Sequence, residues 1–212
     1  KGAKDYAEKA LALLKEPNCR QSESRTYLLA YGFIMHWSSP IEVSISGLLD
    51  GYYMGIATGD TKCTSWNKFL YLNIVVMTGR GSLEDIVDDF ENDVKQMVEW
   101  NQLKPSTSTI ILWQLVLNLM GHSENTVILT GKAMDQDKLL QESLETKNGL
   151  FRLRLSAYRL YAAFIFDEYE IAMEQLEESN MHKGTLQKAI PGTFMVKNMY
   201  FHCALTCISM AQ

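Results

Sequence analysis

The sequence predicts an all-α chain of about nine to ten helices arranged as a solenoid of helical hairpins. Three observations predict it. Apolar residues recur at helical spacing through almost the whole chain. No alternating strand-like run flanked by hairpin turns appears. Pairs of helical stretches joined by short turns begin near Ala3, Ser39, Ser82 and Leu150, and hairpins spaced by roughly 35 to 45 residues are the mark of a helical solenoid.

The elements follow in order. Residues 3–15 read as a first helix, ended by Glu16-Pro17-Asn18, because the residue before proline is pushed out of helical geometry. Residues 24–37 read as a second. Ser39-Pro40-Ile41-Glu42 is a helix start, with serine at the N-cap, proline in the first turn and glutamate three after the cap. That helix runs to Thr58 and stops at Gly59-Asp60; its partner spans 61–78, and Gly79-Arg80-Gly81 is the next turn. Ser82-Leu83-Glu84-Asp85 is a second capping box. Behind it Leu83, Ile86, Val87, Phe90, Val94, Met97, Val98 and Asn101 form one face, while Glu84, Asp85, Asp88, Asp89, Glu91 and Asp93 read as a solvated acidic face favoured near a helix N-terminus. Residues 106–120 form the next helix, ended by Gly121, and 122–134 are a long non-periodic connection. Asp135 caps a short helix to Glu145, Asn148-Gly149 breaks the chain, and helices follow over 150–166 and 169–179. A polar link leads through Pro191-Gly192 to a last helix.

The 212 residues and 24.1 kDa suit a single helical-repeat domain over 1–212, read here as a segment of a longer chain. With 47% hydrophobic and 21% charged residues the chain is ordinary globular material. A net charge of −5 and a pI of 5.4 argue against nucleic acid or an anionic membrane as partner, since phosphate binding needs a local excess of Lys and Arg. The apolar stretches 69–77 and 110–120 fall short of the roughly 20 residues of a membrane span. Cys19, Cys63, Cys203 and Cys207 lack the pattern of a disulfide framework, and with no glycosylation acceptor or leader in view the expected setting is reducing and cytoplasmic.

No catalytic motif survives inspection. Thr130-Gly131-Lys132 resembles the end of a phosphate-binding loop, but Thr126 stands where the first glycine belongs and Ala133 where the magnesium-binding hydroxyl belongs. His202, Cys203 and Cys207 could supply part of a zinc site; nothing supplies the rest, and core cysteines are the plainer reading. No catalytic, cofactor-binding or metal residue is therefore assigned. Gly47, Gly51, Gly55 and Gly59 recur every four residues, which marks close helix packing. Among the aromatic residues, Tyr52, Tyr53, Trp66 and Trp113 are candidates for a partner-binding surface, against the alternative that they are core. The last helix is apolar nearly all round, from Phe194 to Met210, so it is expected to be covered on more than one side.

Two resemblances follow. Leu160, Ala163, Asp167-Glu168-Tyr169-Glu170-Ile171-Ala172 and Leu176 look like the tetratricopeptide pattern, with Ala163 and Ala172 at small packing positions and Tyr169 opening the second helix. The hairpin around Gly55, Gly59 and Asp60 is a looser match, and Thr64 and Lys68 depart from it, so its register stays open. The resemblance implies a right-handed solenoid of degenerate tetratricopeptide-like hairpins. More widely, 31–37, Pro40, 48–60, Gln114 with 118–121, and Leu129-Thr130-Gly131-Lys132-Ala133-Met134 resemble, in order, the helical region of multidomain STAND-type AAA ATPase signalling kinases of diatoms and bacteria. These are multi-sensor hybrid histidine or serine/threonine kinases. The resemblance implies a non-catalytic interaction or coupling region whose partners are proteins, namely its own flanking ATPase and kinase domains. ATP and magnesium would belong to those flanking domains. A free-standing tetratricopeptide adaptor that binds a peptide segment is the second reading, and a small cofactor-independent helical enzyme the third.

Overall fold

A computed structural model describes residues 2–16, 19–181 and 192–211. Among these residues lie ten α-helices and no strand. They are α1 (Ala3–Leu13), α2 (Glu23–Phe33), α3 (Ile41–Thr58), α4 (Thr61–Thr78), α5 (Leu83–Glu99), α6 (Leu103–Leu119), α7 (Gln136–Glu145), α8 (Gly149–Ile165), α9 (Tyr169–Met181) and α10 (Phe194–Met210). The residues group into two compact units. One holds Lys1–Gly81, Lys95–Ser106 and Gly192–Phe194, the other Ser82–Val94, Thr107–Pro191 and Met195–Gln212.

In the first unit α2, α3 and α4 pack on one another, and α1 packs on α2. The α3–α4 turn follows from two residues. Gly59 takes φ 75°, the left-handed conformation that ends a helix, and the Asp60 carboxylate accepts from the Cys63 N–H at 3.0 Å to cap α4. Gly59 was expected at a packing position, but a Cβ there meets nothing within 4 Å, so its role is in the turn. Gly51 and Gly55 are buried packing residues. A Cβ on Gly51 would lie 2.7 Å from Asn67 Oδ1, and one on Gly55 2.0 Å from Thr64 Oγ1 and 2.6 Å from Ser24 Oγ. Asn67 in turn donates to Ser24 O at 3.0 Å and to Cys63 O at 3.0 Å. A polar seam thus joins α2, α3 and α4 where glycine lets the backbones approach. Leu48, Phe69, Leu72 and Ile74 fill the core around it.

That seam sets an expectation for stability. Gly55→Ala gains roughly 1 kcal/mol of helix propensity but forces the Thr64 hydroxyl off the Asp60 carbonyl, to which it donates at 2.7 Å. Overpacking of this kind costs about 1 to 3 kcal/mol. Chemical denaturation should show a net loss of stability; a more stable Gly55→Ala protein would contradict the close approach.

Several boundaries differ from the sequence expectation. The second helix ends at Phe33, and Met35–Trp37 form a 3-10 turn, because Ile34 leaves helical geometry at φ −120°, ψ −54°. Ser39 does not cap α3: its N–H bonds Met35 O at 2.9 Å, and Pro40 takes the N-cap position without a side-chain bond. α6 begins at Leu103 rather than Ser106, since Pro105 falls in the first turn, where no backbone N–H is needed. On α5, Asp93 is buried with Phe90 and Met97 while Val98 is exposed. The inward stripe runs through 90, 93 and 97, at helical spacing.

In the second unit α7 packs on α8 and α8 on α9. Asp135 caps α7 as its sequence predicts, accepting from Asp137 N at 2.9 Å and Lys138 N at 3.1 Å. The α8–α9 turn passes through Asp167, whose φ is 61°, and the Tyr169 hydroxyl donates to the Asp167 carboxylate at 2.6 Å. Ala162, Ala163 and Ala172 are fully buried, and Ser156 Oγ donates to Gln175 O at 3.1 Å, so small residues bring these helices together. On α10 the buried positions are Met195, Asn198, Met199, His202 and Thr206, whereas Tyr200, Phe201, Ile208 and Met210 are exposed. His202 lies among Tyr161, Phe164 and Phe201, with Nδ1 2.9 Å from Asn198 O; burial pushes its imidazole below the usual pKa. The polar link before Pro191 lies largely outside the described residues.

Candidate functional site

The second unit contains the one feature among the described residues where sequence motifs, buried polar groups and a concavity coincide. Residues 122–134 form no helix or strand, so their backbone polar groups need partners elsewhere. Two amides of α6 supply them. Asn118 donates from Nδ2 to the carbonyls of Asn125 at 3.0 Å, Thr126 at 3.2 Å and Ile128 at 2.8 Å. Gln114 accepts at Oε1 from Ala133 N at 2.9 Å and Met134 N at 3.4 Å. The two amides are bonded to each other at 2.9 Å, and Ser123 Oγ bridges them, donating to Asn118 at 2.6 Å. Both are buried. Helical spacing of four residues puts them on one face of α6, over which the loop is clasped.

The Thr130-Gly131-Lys132 motif belongs to this clasp. Thr130 Oγ1 accepts from Gln136 N at 3.0 Å. A Cβ on Gly131 would lie 2.7 Å from Gln114 Nε2, so only glycine lets the loop reach the amide. Lys132 sends its ammonium to Glu91 Oε2 at 3.3 Å and over the Trp113 ring, 5.3 Å from the centroid.

Those contacts form one edge of a cleft of about 260 Å³, lined also by Val87, Asp88, Leu117 and His122. Trp113 is its wall. The indole is only 7% exposed and lies parallel to Phe90 at 6.5 Å, and its buried Nε1–H has no hydrogen-bond acceptor. A buried donor without an acceptor costs roughly 1 to 3 kcal/mol.

The other candidates from the sequence lie in the first unit. Tyr53 is exposed beside half-buried Tyr52, ring to ring at 5.3 Å, and Lys68 Nζ lies 5.3 Å from the Tyr52 centroid. Trp66 is half-buried and packs edge-on against core Phe69 at 5.8 Å. Within the first unit Tyr52 and Tyr53 make a patch and Trp66 leans on the core; within the second, Trp113 walls the cleft.

The cysteines divide by environment. Burial, reinforced by the Asp60 carboxylate, pushes the Cys63 thiol up to about 12, which suppresses its nucleophilic form; Cys207 is exposed. Among the described residues, no group of three or more His, Cys, Asp or Glu side chains is placed to hold a metal ion, and no helix is long and apolar enough to cross a membrane. Arg154 is buried on α8 and bonds Ser108 Oγ; burial lowers its pKa and Tyr158 opposes that.

The cleft and clasp were missed as a unit by sequence reasoning. Gln114 and Asn118 were visible as breaks in an apolar helix, and Gly131 and Lys132 as a failed phosphate loop. No local pattern connected the pairs. In comparisons with known proteins, the chain matches no family model, and no curated protein or solved structure matches it significantly.

Proposed function

We propose that the chain is a non-catalytic helical-repeat region that works by contact with other protein, coupling an ATPase switch to a kinase output within a multidomain signalling protein. The observation that carries the reading is the surface of α10. It buries Asn198, His202 and Thr206 and turns Tyr200, Phe201, Ile208 and Met210 outward. An exposed aromatic and aliphatic stripe on a helix that buries Asn198, His202 and Thr206 supports a protein-contact surface. The ordered motifs that resemble those of signalling ATPases support the chain's own flanking domains as the kind of partner. In this reading the setting is cytoplasmic, and ATP and magnesium belong to the flanking domains. The polar residues of the 114–134 motif support the non-catalytic half, because their hydrogen bonds go into holding the loop.

A second reading, an adaptor that binds a peptide tail, is favoured by the exposed Tyr53 beside Tyr52 and Lys68. The full reading frame that encodes the chain separates the two. The first expects a nucleotide-binding ATPase domain encoded upstream in the same frame; a short frame without one would leave the adaptor and overturn the coupling role.

A further inference from the structure

His202 stands at the seam between α10 and α8 and is 6% exposed. Tyr161 and Phe164 of α8 wall its ring at centroid distances of 4.9 and 5.4 Å, and Phe201 of α10 at 5.3 Å, all three nearly perpendicular to it. Its Nδ1 lies 2.9 Å from the Asn198 carbonyl, which can only accept, so the proton of the neutral ring sits on Nδ1. An imidazolium would bring a second N–H and a full charge into the same enclosure. Of the groups that face it, only the Tyr161 phenol titrates, and burial keeps that phenol protonated. Beyond Phe164 lie Tyr169 and Asp167 at the head of α9, already bonded to each other at 2.6 Å. The ionisable side chains nearest along α10, Lys197, Tyr200, Cys203 and Cys207, include no acid. Among the described residues no carboxylate acts on the ring. The aromatic walls offer a charged imidazole some cation–π attraction, a smaller return than the water it gives up on burial. The Asn198 carbonyl also favours the charged form, but burial prevails and holds the pKa below the ordinary 6.5.

We infer that His202 is a proton-sensitive latch: α10 stays docked on α8 while the imidazole is neutral, and acidification releases it. Phe201 ties the latch to the contact stripe, because the ring that walls His202 is itself 58% exposed on the outer surface of the helix. Release therefore disorganises the surface on which the coupling role depends. The inference rests on that role only for what the release regulates, since docking of α10 is measured without any partner. A released helix returns the imidazole to a pKa of about 6.5, whereas the docked helix holds it lower. Docking is thus at full strength above about pH 6.5 and weakens as the pH falls toward the docked value. At about pH 5.5 the released population rises by about threefold to tenfold, roughly tenfold being the limit for one group titrating a unit above that pH.

The test is hydrogen exchange of the whole chain at about pH 7.5 and about pH 5.5, corrected for the intrinsic pH dependence of exchange. In the wild type, exchange in 194–210 should rise by about threefold to tenfold relative to α8 on going to the lower pH. His202→Gln and His202→Phe are neutral at both pH values and should lose that rise; the phenylalanine keeps an aromatic ring in the enclosure should the amide variant fail to fold. The His202 Cε1–H resonance of the wild type, followed through the same range, should titrate below 6.5, and it decides the matter if neither variant folds. A His202 pKa at or above 6.5, or an equal rise in the wild type and a folded neutral variant, would overturn the proposal. The coupling role would stand in that case, because it is decided by the reading frame.

Discussion

Replacing Ala172 by arginine is expected to destabilise the protein by about 2 to 4 kcal/mol. Ala172 is fully buried on α9, in the hairpin where α8 contributes the equally buried Ala162 and Ala163. An arginine there has neither room nor water. It must push the helices apart or bury its guanidinium, and the Ser156–Gln175 hydrogen bond between the same helices lies within one turn of the substitution. The matched substitution at exposed Glu177 should cost under about 0.5 kcal/mol. Glu178 is half-buried and its charge acts on Arg159, so it is unsuitable as a control. Urea unfolding of the two variants measures the difference; equal losses would mean that Ala172 is not at the helix contact.

Replacing Asn118 by leucine is expected to cost about 3 to 5 kcal/mol and to loosen residues 122–134 selectively. The side chain keeps its approximate volume but loses its donors to three loop carbonyls and its acceptor for Gln114 and Ser123. Carbonyls near the surface regain water, whereas the Gln114 amide is left buried beside a methyl group. That asymmetry makes the loss larger than the worth of the bonds themselves. Ser123→Ala removes one bridge and should cost roughly 1 kcal/mol. Hydrogen exchange read by mass spectrometry should show faster exchange in 122–134 than in α8 or α9 of the Asn118→Leu protein. Uniform acceleration would mean that Asn118 supports the whole unit rather than the loop.

Local signals in the sequence located most elements. Gly59 and Gly79 take left-handed φ values of 75° and 62° at the ends of α3 and α4, a conformation glycine adopts at little cost. Asp60 and Asp135 cap α4 and α7 through their own carboxylates. Such features depend on four or five consecutive residues, so they are legible without tertiary structure. The failures share the opposite property. Trp113 lies in a helix so apolar that periodicity cannot say which side faces inward, and α10 presents the same difficulty from Phe194 to Met210. There the fold buries Asn198, His202 and Thr206 and exposes Phe201 and Ile208, the reverse of what residue type alone suggests. Asp93 reads as one more charge on an acidic face, yet it shares the inward stripe of Phe90 and Met97. The cleft required a contact between Lys132 and residues of α5 and α6, separated by 41 positions from Glu91 and 19 from Trp113. Only the clasp, itself non-local, brings them together.

The central claim is that this chain acts by contact and that its motif residues build structure rather than chemistry. The most direct measurement is a calorimetric titration of the purified chain with magnesium ATP, joined to a phosphate-release assay on the same sample. The account predicts no binding heat and no hydrolysis, because Thr130, Gly131 and Lys132 are already committed to Gln136, the Met134 carbonyl and the Glu91–Trp113 pair. Saturable binding at micromolar ATP, or phosphate release above the protein-free rate, would contradict it.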